Sequence, residues 1–133
     1  MNIEKKIEIL ENKVNLLTIM TEKKCDEFPY FSYQITHNLT KRDNDIIMNS
    51  LIIFSDRIKN NQISNHIEQK YINIKMYKDI LIDGLPKEGE FEKFIKSNVK
   101  SETINIKYIL KSLIMQNIYA DTCNEILKGH LHM

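Results

Sequence analysis

Apolar side chains recur along the first twenty residues of this chain with a strict rhythm. Ile3, Ile7, Leu10, Val14 and Leu17 are spaced by four, three, four and three. That is the heptad spacing, with Ile7 and Val14 at a and Ile3, Leu10 and Leu17 at d. Lys6 and Glu11 then fall at g and e, where a parallel partner can pair them. Good helix formers fill the remaining positions and neither Gly nor Pro interrupts, so the spacing predicts a helix over 3–22. A second stripe, Ile9, Leu16 and Met20, lies about a third of a turn round that helix. An apolar face this wide suits a helix held from two sides. The expectation is that the heptad stripe meets another copy of the chain, a dimer being favoured over a trimer, while the second stripe docks on the chain's own helices.

The pattern continues as helices. Pro29 suits a first turn, with Asp26 and Glu27 just before it, and predicts a short helix over 29–37. Phe28, Tyr30, Phe31 and Tyr33 crowd there, an aromatic centre expected to be core or partner surface. Asn38 tolerates the left-handed conformation that closes helices, and Thr40 with Asp43 forms an approximate capping box. Ile47, Leu51, Phe54 and Ile58 then mark a helix over 41–60, with Arg57 and Lys59 suited to the dipole at its end. Ser64 is expected to cap a helix through Ile67, Tyr71, Ile74, Ile80 and Leu81, ending near Gly84. Within it "YINIKMY" alternates like a strand, as "TINIKYI" does at 103–109, and the shared "INIK" raises a strand pairing as the competing reading. Residues 87–100 read as a charged helix carrying Phe91, Phe94 and Ile95. Another helix starts at Ser101 or Thr103 and turns Ile106, Ile109, Leu110, Leu113 and Ile114 inward until Asn117. The last runs over 120–128, closed by Gly129, with 129–133 as a fraying tail.

Composition changes this picture little. With 133 residues, 42% hydrophobic and 28% charged, the chain fits one domain, 1–133, large enough for a core. The net charge is +1, and residues 1–28, 29–63, 64–100 and 101–133 sum to −1, +1, +1 and zero. A nucleic-acid binder usually carries a basic face or segment. Lysine outnumbers arginine 17 to 2, against the usual preference for Arg at bases and phosphates. The abundance of Ile, Asn and Lys fits an AT-rich genome. No secretion signal or membrane-length apolar run is read, so a cytoplasmic protein with Cys25 and Cys123 as free thiols is expected.

Three stretches resemble a known family: "IEKKIEILENKVNLL", "FPYFSYQITHNLTKRDNDII" and "ETINIKYILKSLIMQNIYADTCNEIL". In that order they resemble the YhaI-like family, small helical proteins of bacilli and related Gram-positive bacteria. They cover roughly half the chain, and the central one is the most specific. The family tends to have glycine where this chain has Asn38 and Asn117. Asn keeps the left-handed cap, so the departure is conservative. Residues 60–100 match poorly and read as an insertion. The family has no assigned activity; the resemblance implies an all-helical fold and supplies no site residues.

Candidate chemistry is sparse. His130 and His132 form an H-x-H pair, short of the three or four ligands zinc requires. His37 precedes Asn38 at a helix end, where a cap role outweighs catalysis. Cys25 with His37 matches no thiol-nucleophile signature, and three glycines in all leave no phosphate-cradling loop. Glu4, Glu8 and Glu11 lack the E-x-x-H partner of a di-iron bundle. The chain is therefore read as all-α, a five- or six-helix bundle, 3–22 being the heptad helix and 29–128 the rest. It is read as a non-catalytic self-associating adaptor or regulator acting on another protein, with no cofactor and no metal. The alternative is a small DNA-binding regulator using a helix-turn-helix-like segment over 29–83, with Lys70, Lys75 and Lys78 on the helix after residue 60.

Overall fold

In the computed structural model, residues 2–21, 28–101 and 103–130 are described. Seven α-helices occur among them, one or two more than expected: α1 (Ile3–Thr21), α2 (Pro29–Thr36), α3 (Lys41–Asn60), α4 (Asn65–Tyr71), α5 (Glu90–Asn98), α6 (Ile106–Met115) and α7 (Ala120–Glu125). The fold is all-helical, with no strand among the described residues. Cys25, Asp26, Glu27, His132 and the side chains of Met20 and His130 lie outside the described residues.

The centre is α3. Ile46, Ile47, Leu51, Ile53 and Phe54 are all buried, so α3 is covered on more than the one predicted stripe. It is packed by α1, α5 and α7, while α6 joins α2 to α7. Its ends are set locally. Thr40 Oγ1 accepts from the Asp43 N–H, and Asp43 Oδ2 accepts from the Thr40 N–H, a complete capping box. Asn61 closes the helix at φ 57°. Beyond it, Asp56 accepts from the Ser64 N–H (2.7 Å), Ser64 Oγ (2.8 Å) and Asn60 Nδ2 (2.7 Å). Burial pushes that carboxyl up, but these donors outweigh it and hold its pKa below the ordinary value. Ser64 Oγ is thus committed to α3 and does not cap α4 with its side chain.

The long helix expected from Ser64 toward Gly84 stops at Tyr71, and a 3-10 turn follows at Lys75–Tyr77. Tertiary bonds explain the break. Tyr71 Oη donates to Asn49 Oδ1 (3.0 Å), and Asn49 Nδ2 donates to Tyr77 Oη (3.1 Å). The two rings meet edge to face at 5.1 Å. Both phenols reach one residue of α3 only because the chain turns between them. The strand reading of "INIK" fails as well. At 72–75 it crosses a turn into the 3-10 segment, whereas at 104–107 it opens α6, with Asn105 Oδ1 accepting from the Tyr108 N–H. That side-chain cap places the α6 start at Ile106, later than Ser101 or Thr103. Gly129 does not close α7, which continues as a π turn over Ile126–His130.

Arg57 holds the 80–90 segment. It is 1% exposed, and its role is tertiary, beyond the helix-dipole role expected of it. Nε donates to the Gly84 carbonyl (2.9 Å), and Nη1 and Nη2 reach the Ile80 and Leu85 carbonyls (both 3.4 Å). Glu90 receives the guanidinium through both carboxylate oxygens, Nη2 to Oε1 at 3.0 Å. Gly84 sits at φ 101°, a conformation glycine adopts without strain.

Candidate interaction surface

Helix α1 has two faces of different character. Ile9 and Leu16 are each 6% exposed and docked on the body. Asn12 lies between them and is also buried. Its Nδ2 donates to the Leu39 carbonyl (2.8 Å) and to Gln34 Oε1 (3.2 Å), tying α1 to α2 and to the turn after it. Lys5 reaches the buried Asp43 carboxylate of the α3 capping box at 3.8 Å. The docked face is therefore Lys5, Ile9, Asn12 and Leu16. It lies roughly 150° round the helix from the heptad stripe, farther than the third of a turn expected. Asn12 was not singled out from the sequence, although its i+3 and i−4 spacing to Ile9 and Leu16 places it on their face.

The heptad stripe faces outward. Ile3, Ile7, Leu10, Val14 and Leu17 are between 49% and 73% exposed. A shallow groove along it is lined by Ile7, Leu10, Glu11, Val14 and Asn15. Five large apolar side chains on one helical face form the longest exposed apolar stripe among the described residues. Isolated exposed apolar residues are ordinary; a contiguous stripe marks an interaction surface.

The four aromatic residues divide. Tyr30 is buried, donating from Oη to Asn44 Oδ1 (2.7 Å), while its N–H reaches Gln116 Oε1 (3.0 Å). Burial pushes its phenol pKa up, Cys123 and Asp43 adding to the effect. Tyr33 is buried too, accepts the Asn105 N–H on Oη (2.8 Å), and stacks on His37 and Tyr108. Phe28 and Phe31 are half-buried and stack on each other at 5.4 Å. His37 is the α2 C-cap residue and hydrogen-bonds through Nδ1 with Thr103 Oγ1 (2.9 Å).

No family model, curated protein or solved structure matches this chain. The description of the surface therefore rests on its own residues. Among those described, no three His, Cys, Asp or Glu side chains cluster as metal ligands. No helix among them is long and apolar enough to cross a membrane. Cys123 is buried, and burial pushes its thiol up to about 12, which keeps it protonated at neutral pH. In the segment weighed as helix-turn-helix-like, α4 spans two turns, Lys70 lies over the Tyr71 ring, and Lys75 belongs to the 3-10 turn.

Proposed function

We propose that this chain is a non-catalytic, self-associating cytoplasmic adaptor or regulator, built to bring copies together and to engage another protein. The observation that carries the reading is the heptad stripe of α1, whose five apolar side chains stand in solvent while the opposite face of the same helix is docked. A helix needing only its own chain for burial would turn its longest apolar stripe inward. Here Ile9 and Leu16 face the body and Ile3, Ile7, Leu10, Val14 and Leu17 do not. Membership of the YhaI-like family is part of the proposal. It is supported by the left-handed conformations of Asn38 (φ 56°) and Asn117 (φ 59°), where that family tends to have glycine.

The test compares Leu10→Lys with Leu16→Lys by light scattering and circular dichroism. Fully burying a leucine is worth roughly 1.5–3 kcal/mol, so a charge at either site outweighs its local gains. Leu10→Lys should lower the mass and keep most of the helix content. Leu16→Lys should lose helix content directly. A monomeric wild type, or a Leu10→Lys mass equal to that of an associated wild type, would sink the reading.

A further inference from the structure

The flanks of the exposed stripe carry opposite charges. On the g side stand Lys6 and Lys13, and on the e side Glu4 and Glu11. Lys6 and Glu11 are exposed, and the four ion pairs among the described residues involve neither of them. Helical neighbours do not compensate them: three and four residues away from Lys6 stand Ile3, Asn2, Ile9 and Leu10, and from Glu11 Glu8, Ile7, Val14 and Asn15. In a parallel, in-register pair each g residue faces the e residue five positions on in the other helix. Lys6 then meets Glu11 of the second copy, twice by symmetry. In any antiparallel register g faces g and e faces e, which sets lysines toward lysines and glutamates toward glutamates.

Resting on the self-association proposed above, we infer that the occupant of the stripe is a second copy of this chain, aligned parallel and in register, selected by the reciprocal Lys6–Glu11 pairs. Branched Ile7 and Val14 at a, with Leu10 and Leu17 at d, favour two strands. The docked face lies away from the seam, so the two bodies project to opposite sides of the paired helices without competing for it.

The experiment uses full-length chains carrying Lys6→Glu and Glu11→Lys, alone and mixed, in sedimentation equilibrium at low salt. Circular dichroism monitors folding, which these exposed positions should leave intact. Each single variant sets like charges opposite each other and should weaken association roughly five- to thirtyfold. An equimolar mixture restores both pairs. The new carboxylate at position 6 of one variant meets the new ammonium at position 11 of the other, and the unchanged Lys6 meets the unchanged Glu11. The mixture should recover the wild-type association strength as a heterodimer. Association unchanged in the singles, or a mixture no stronger than they are, would overturn the parallel pairing while leaving self-association standing. A monomeric wild type in the same runs would overturn both.

Discussion

Arg57 carries more of this structure than any other polar side chain. Its guanidinium is buried, satisfies three carbonyls of the 80–85 segment and receives Glu90 at the α5 start. Glu90 is the less buried partner, with its side chain 15% exposed. The two are therefore not equivalent in energy. Glu90→Gln keeps an acceptor for the guanidinium and leaves the three carbonyl contacts; it should cost about 1–3 kcal/mol. Arg57→Met strips the carbonyls of their donor and leaves the carboxylate without its cation; it should cost about 3–5 kcal/mol. Urea midpoints of the two variants check the order. Equal costs would mean that the ion pair, and not the carbonyl contacts, dominates. The Thr40–Asp43 box was legible in the sequence because all its atoms lie within four residues. Arg57 was not, because its partners are 23 to 33 positions away and its place near a helix end has an adequate local explanation.

Elements were legible where local signals agreed. The α3 limits follow from a capping box at its start, Arg57 and Lys59 at its end and a stripe between them, and the structure gives Lys41–Asn60 as expected. The segment after α4 was illegible because one residue of α3, Asn49, decides it through Tyr71 and Tyr77. The two "INIK" tetrapeptides make the same point, since identical residues take different conformations under different neighbours. On α1 the heptad stripe was readable from spacing alone, but the polar layer on its docked face was not. Within that layer Asn12 satisfies the Leu39 carbonyl, whereas the buried Gln34 Nε2 has no hydrogen-bond partner among the described residues. An orphaned buried donor costs about 1–3 kcal/mol. Gln34→Met should therefore leave stability unchanged or raise it by up to about 1 kcal/mol, because it removes the orphan. Asn12→Leu should lower stability by about 1–3 kcal/mol, because it deprives Leu39 and Gln34 together. Thermal melts of the two variants at a single protein concentration test this asymmetry. A loss in Gln34→Met as large as in Asn12→Leu would show that the amide is bonded after all.

At the scale of the molecule, the all-helical fold was legible because periodicity is a property of the chain, while the way the seven helices among the described residues share one core depends on contacts such as those of α6 with α2 and α7. That core also fixes how the protein responds to pH. Cys123 and Tyr30 both titrate above their ordinary values, burial being the largest cause for each. An unfolded thiol ionises near pH 8.5 and an unfolded phenol near 10, by ordinary side-chain values. The folded chain keeps both protons beyond those points, the thiol up to about 12. Above pH 8.5 the unfolded state thus binds fewer protons than the folded state, and stability falls as pH rises. Below that range the contribution is fully present. One such group gives a limiting slope of about 1.4 kcal/mol per pH unit. From pH 8.5 to 10 Cys123 alone of the two should contribute, and above 10 Tyr30 should join it. The check is the urea midpoint against pH for wild type, Cys123→Ala and Tyr30→Phe. Either variant is expected to be weaker at neutral pH, because each removes buried atoms, so the slopes decide. Cys123→Ala should flatten the decline between pH 8.5 and 10, and Tyr30→Phe should flatten it only above 10. A Cys123→Ala profile parallel to wild type from 8.5 to 10 would mean that the thiol ionises in the folded chain at its ordinary pH, so that solvent reaches it and its burial is incomplete.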